Sequence, residues 1–219
     1  MFIGHAAVAL AAKPLAPRTS LGLLLAAAFW LDFVWPLLVL AGIERVEIAP
    51  GDTAFTPLRF VHYPWTHSLA AAIAWGVLVA LVFWRIAGVR DAVVLGALVF
   101  SHWPLDALVH RPDLPLWPGG DAMIGLGLWN SVQATLAIEC AMFAGGVAIY
   151  VRSTPARDRI GAFSFWALIG FLLLAYAANV LGPPPPSVAA IAYVGFAGGA
   201  LFALWAWWAD RHRGVIKPQ

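Results

Sequence analysis

Three ionisable residues stand four apart in the stretch Ser101-His102-Trp103-Pro104-Leu105-Asp106-Ala107-Leu108-Val109-His110. On a helix, positions i, i+4 and i+8 share one face, so His102, Asp106 and His110 form a polar stripe. Imidazole and carboxylate on one face can ligate a divalent metal or pass a proton. An ionisable group in hydrocarbon costs roughly 2.5–3.5 kcal/mol on insertion scales, and it persists mainly where it faces a cavity, a partner or a metal. Helical rise sets a limit on the chemistry. His102 and His110 lie about 12 Å apart along the axis. One metal with ligands at about 2.0–2.2 Å cannot take both. A mononuclear site must combine one i,i+4 pair with residues from other segments.

The surrounding chain has to supply those segments from within a membrane. Hydrophobic residues make up 62% of the sequence and charged ones 11%, with a mean hydropathy of +0.83. A soluble domain carries about 25% charged residues. The composition predicts an all-α, polytopic transmembrane helical bundle forming a single membrane domain over 1–219, with the lipid bilayer as its main partner. A spanning helix needs about 20 apolar residues. Six stretches qualify, over 21–43, 67–84, 91–110, 128–151, 160–181 and 188–210. Residues 2–12 are apolar but too short to span; they predict a short N-terminal helix, interfacial or re-entrant. No basic residue precedes that run, so it is read as retained rather than as a cleaved signal.

Six spans put both ends on one side. One set of connecting segments holds Lys13, Arg18, Arg85, Arg90, Arg152, Arg157, Arg159, Arg211, Arg213 and Lys217; the other holds Arg45, Arg59 and Arg111. Ten against three predicts that both termini are cytoplasmic, in an inner (plasma) membrane. The net charge of +2 therefore reflects orientation and excludes a nucleic-acid surface. The single cysteine, Cys140, excludes an intrachain disulfide.

Depth can be estimated from helical rise. His102, Asp32 and Glu139 each fall roughly 16 Å into their spans, and Asp106 roughly 22 Å. His67 opens the second span at the opposite border, with His62 in the loop before it. The expectation is two layers, Asp32, His102 and Glu139 below and His67, Asp106 and His110 above, with Asp106 able to bridge them. Pro36 and Pro104 each free a carbonyl four residues earlier, at Asp32 and Phe100, and Pro104 should bend its helix between His102 and Asp106. The outer loops, 44–65 and 111–127, would shape an entrance.

With these residues assembled, the chain resembles the YdjM-like family of bacterial inner-membrane proteins, described as predicted membrane-bound metal-dependent hydrolases. The likeness lies in Gly4-His5, Trp30-Leu31-Asp32, Thr66-His67-Ser68 and the His102/Asp106 pair. It covers the first half of the chain; the second half matches only as apolar helices. It implies a polar site of His5, Asp32, His67, His102 and Asp106. Many members carry a second acid beside the first-span Asp, where this chain has Leu31 and Phe33; that departure speaks against two metals.

The sequence reading is thus a membrane-embedded hydrolase. His67, His102 and Asp106 hold a divalent metal, Zn²⁺ first and Mn²⁺ or Mg²⁺ as alternatives, with Asp32 as fourth ligand or behind the ligands. Asp32 or Glu139 takes a proton from water. The substrate would be an amphiphilic ester or phosphoester at the outer leaflet. Two other readings compete. In an accessory subunit of a membrane complex, the His–Asp pairs only lock helices together and the partner is another membrane protein. In an ion or proton transporter, Asp32, His102, Asp106 and Glu139 would line a path, although the opposite halves of the spans carry no matching acids.

Overall fold

The computed structural model describes residues 1–215; Lys217 of the orientation count lies outside them. Five helices are long and apolar enough to cross a membrane: α5 (Leu69–Ala87), α6 (Val89–Val109), α7 (Val132–Ser153), α8 (Arg159–Leu181) and α9 (Val188–Arg211). Two further pieces, α2 (Leu21–Ala28) and α3 (Trp30–Leu40), bent by 54° at Phe29, are together long and apolar enough for a sixth, as a broken span or a re-entrant loop. Before them comes α1 (Ile3–Ala12), and between α3 and α5 sits the single turn α4 (Pro64–His67). The protein is a multi-pass helical bundle, as expected.

Three details differ from the sequence reading. The break in the first span falls at Phe29, although Pro36 is the helix breaker by type; α3 runs through Pro36 and α6 runs through Pro104 without interruption. The second span begins at Leu69 rather than His67, because Ser68 is extended (φ −78°, ψ 153°) and its hydroxyl accepts from the Ala71 amide as an N-cap. The connection 44–65 also contains a small antiparallel hairpin, β1 (Arg45–Ile48) with β2 (Leu58–His62). A second pairing, β3 (Leu114–Pro115) with β4 (Met123–Ile124), lies in the connection after α6.

Helix α1 is the unusual element. Eight of its residues, among them Ile3, His5 and Leu10, are buried. A helix that is apolar all round belongs in a core, and α1 packs there against α7, α2, α6 and α8. Close approach is possible because Gly146 of α7 faces the backbone of Ala7; a Cβ at Gly146 would collide with it. The N-terminus of α1 is capped from another helix: Glu139 Oε2 accepts from the amides of Phe2 and Gly4 at 3.0 and 3.1 Å. Helices α5 and α6 approach in the same way through Gly76 and Gly96, each facing the other's carbonyl.

The far end of α1 is pinned by a buried ion pair. Lys13 Nζ lies 2.7 Å from Asp210 Oδ2, and Asp210 also accepts from the Leu21 amide and, at 2.6 Å, from the Tyr150 hydroxyl. Lys13 is therefore a buried structural cation rather than a loop charge that sets orientation. Removing one partner of a buried pair leaves an uncompensated charge and costs about 3–5 kcal/mol. Lys13→Met is expected to lower detergent-phase thermal stability by that order. Lys13→Met with Asp210→Asn should recover more than half of the loss, as read by tryptophan fluorescence on heating. A double variant no better than the single one would show that the two charges are not coupled.

Candidate metal centre

Five elements converge on one point in the bundle. α1 brings His5, α3 brings Asp32, α4 brings His67, α6 brings His102 and Asp106, and α7 brings Glu139 to the border of the cluster. His5, His67, His102, Asp106 and Glu139 are all buried; the side chain of Asp32 is 41% exposed. His102 Nε2 is 3.1 Å from Asp106 Oδ2 and 3.6 Å from Asp32 Oδ1. His67 Nε2 is 3.6 Å from the same Asp32 oxygen and 3.8 Å from Asp106 Oδ2. His5 Nε2 is 3.1 Å from Asp106 Oδ1, which also lies 2.6 Å from the Met1 nitrogen. Two trios result, His5/His102/Asp106 and Asp32/His67/His102, each with its donor atoms close enough to share one metal ion. Ligand atoms set tetrahedrally about 2.1 Å from a metal stand about 3.4 Å apart. The four separations around His67 and His102 fall on either side of that value.

Both imidazoles are aimed by what holds their other nitrogen. His102 Nδ1 lies 2.8 Å from the carbonyl of Ala28, the last residue of α2 before the break at Phe29. A carbonyl can only accept, so Nδ1 carries a proton and Nε2 is the nitrogen turned to the cluster, the one with the free lone pair in the neutral ring. His102 Nε2 is buried and has no hydrogen-bond partner among the described residues. A buried nitrogen lone pair flanked by carboxylates fits a metal ion. His67 is fixed by a longer relay. Its Nδ1 is 2.7 Å from Thr66 Oγ1, which donates to Glu44 Oε2 at 2.7 Å, so the hydroxyl accepts from Nδ1–H. Glu44 Oε1 accepts from the amides of Trp65 and Thr66 as well, fastening α4.

Glu44 was not among the residues singled out from the sequence. The only signal was an acid in a short outer connection, and nothing in spacing links it to a threonine 22 positions later. Glu139 is placed at the site's border with its Oε2 committed to the α1 amides; it belongs to neither trio. His5 reaches the cluster because α1 is folded into the bundle, and its ring stacks on His102 at 3.7 Å.

The two-layer expectation gives way to one cluster, since His67 lies level with His102 rather than a layer above. His110 is not part of it. Its Nδ1 lies 3.0 Å from Asp113 Oδ1, and its ring packs on Phe60 and Trp129. His62 is exposed on β2. Trp129 is buried against His110 and Phe60.

Beside the cluster runs a cavity of about 150 Å³ lined by Phe2, Phe29, Phe33, Trp35, Pro36 and Phe202, with Asp32 as its one charged residue. Gly195 and Gly199 of α9 make room for it. Asp32 is thus the ligand through which the cluster meets an open space. No family model, curated protein or solved structure matches the chain, and the functional argument rests on these residues.

The lid over the site carries its own electrostatics. Asp113 accepts from the Tyr63 hydroxyl and Arg111 Nε and is paired with His110. Burial pushes its pKa up, but the bonds from His110, Tyr63 and Arg111 outweigh it and hold the carboxyl below its ordinary 3.8. A carboxyl depressed in the folded state adds stability above its unfolded value, and this is lost as pH falls through the folded one. Wild-type protein should therefore lose lid stability below about pH 3.8. Asp113→Asn should be less stable than wild type at neutral pH, and the difference should shrink on acidification in thermal scans. A constant difference across that range would mean that Asp113 contributes nothing through its charge.

Proposed function

We propose that this protein is a membrane-embedded metal-dependent hydrolase whose substrate is an amphiphilic ester or phosphoester. The observation that carries the reading is the buried Nε2 of His102. The ring's other nitrogen is held by the Ala28 carbonyl, and Nε2 has no hydrogen-bond partner among the described residues and is flanked by Asp32 and Asp106. His67, His102 and Asp32 would hold the ion, with Asp106 joining from the other side of His102 and His5 steadying Asp106 through its second oxygen. A bound divalent ion, Zn²⁺ by the nitrogen-rich donor set and Mn²⁺ or Mg²⁺ by the carboxylates, lowers the pKa of a coordinated water and polarises an ester or phosphoryl oxygen. Asp32 stands at the mouth of the aromatic cavity, where it can accept a proton from water beside a substrate whose apolar part lies in that cavity. Glu139, occupied with the α1 amides, is the weaker candidate for that proton. The YdjM-like motifs around His5, Asp32, His67, His102 and Asp106 agree with this assignment. With the basic connections on the cytoplasmic side of an inner membrane, as the positive-inside rule would have it, the site would lie toward the outer leaflet.

Metal content of the detergent-purified protein decides the first step. About one zinc or manganese per chain is expected in wild type, and loss of it in His67→Ala and in Asp106→Asn with helicity unchanged. With a cleavable ester or phosphodiester amphiphile, Asp32→Asn should slow turnover by about 10²–10⁴-fold. A folded protein that takes up no metal after reconstitution would leave the cluster as a helix lock and favour an accessory subunit.

The relay behind His67 gives a separate test. Residues that orient a ligand typically tune metal affinity by about 10–100-fold. Thr66→Val and Glu44→Gln should each weaken binding by that factor in competition with a chelator. Equal affinity in both variants would remove the relay from the site.

A further inference from the structure

The opposite end of the bundle holds a second pocket that the metal centre does not use. It is a cavity of about 600 Å³ walled by Pro17 and Arg18 of the α1–α2 connection, by 87–91 at the α5–α6 turn, by Arg157 of the α7–α8 connection and by Val215. Three guanidiniums, Arg18, Arg90 and Arg157, face it from three different segments, and all three residues are exposed. None makes an ion pair among the described residues. The acids of this end are engaged elsewhere. Asp210 is held by Lys13 and Tyr150, and Asp158 caps α8 at the Gly161 amide and pairs with His212. Asp91, the one acid on the pocket wall, is buried and accepts from the Thr19 hydroxyl. The wall thus keeps a net charge of +2 (three guanidiniums less one carboxylate) with no further protein counterion among the described residues.

The lip of the pocket is apolar and outward-facing. Val89, on the wall, is 61% exposed, and Ile86 and Val93, before and after it along α5 and α6, are 73% and 60% exposed. Ile86 and Val93 lie on helices long enough to span a membrane, so these faces meet acyl chains. A ligand for this place needs an anionic group of phosphate size and an apolar part that stays in the bilayer. Basic pockets between spanning helices are suited to anionic lipid headgroups, and guanidiniums favour phosphate oxygens because they offer paired donors.

We propose that Arg18, Arg90 and Arg157 form a binding site for the phosphate of an anionic phospholipid, separate from the metal centre and independent of its chemistry. The site ties together the α1–α2, α5–α6 and α7–α8 connections. A seated lipid would therefore clamp the end of the bundle where α1 is anchored.

The test uses the full chain in nanodiscs of phosphatidylcholine doped with phosphatidylglycerol, with lipid retention read by native mass spectrometry. Wild type should retain phosphatidylglycerol over phosphatidylcholine. Each of Arg18→Gln, Arg90→Gln and Arg157→Gln should weaken retention about fivefold, and the triple variant about a hundredfold. A control removes the same charge elsewhere at this end, through Arg85→Gln, Arg152→Gln and Arg159→Gln, and should retain the lipid within about twofold of wild type. Equal loss in the control would mean diffuse attraction to the whole basic end and would overturn the site. Displacement of the lipid by millimolar inorganic phosphate would assign the pocket to a free phosphate instead and would also overturn the proposal. The single variants alter exposed side chains, so a triple that fails to fold leaves the test intact.

Discussion

The carboxylate of Asp106 is 2% exposed in the interior of an apolar bundle, where an unpaired charge costs several kcal/mol. Much of the surrounding architecture follows from satisfying it. One oxygen meets His102 and His67, the other His5. To bring His5 there, α1 has to enter the core, and a helix in the core needs a partner for its own free amides. Glu139 provides it from α7. A second buried acid thus appears because the first one is present, and each is satisfied by a segment that the other helps to hold.

The broken first span belongs to the same constraint. A continuous helix over Leu21–Leu40 would use its interior carbonyls within itself. The break at Phe29 comes directly after Ala28, whose carbonyl binds His102 Nδ1. That bond has two effects on different levels. It satisfies a backbone acceptor in a medium without water, and it fixes the tautomer that turns the other nitrogen of His102 toward Asp32 and Asp106. The 54° bend also swings α3 so that Asp32 faces both the imidazoles and the aromatic cavity. Helix geometry and ligand chemistry are set by one hydrogen bond.

The spans were legible in the sequence because 20-residue apolar runs with polar borders have few alternatives; five helix boundaries fall within a few residues of those expected. The residues of the cluster were legible for a different reason. His5, Asp32, His67, His102 and Asp106 are polar groups in apolar runs, and that contrast survives without coordinates. Their arrangement was not. Rise along each helix placed Asp32, His102 and Glu139 at one depth, but depth says nothing of rotation, and Glu139 turns to the α1 amides instead. The first span read as continuous over 21–43, whereas it bends at Phe29, where the Ala28 carbonyl meets His102. Glu44 carried no local signal at all. Its role depends on Thr66 and His67 being brought under the hairpin.

Exposure separates the ligands into two kinds. His67, His102 and Asp106 are sealed in protein, with their remaining donors and acceptors assigned, so their positions are held by the fold whether or not a substrate is near. Asp32 is 41% exposed and is the one charged residue lining the adjacent cavity. The proposed metal centre would use that asymmetry: three groups held by the fold and one face left open, bordered by Phe2, Phe33 and Phe202, through which a molecule with an apolar body would bring a polar bond to the cluster without leaving the bilayer.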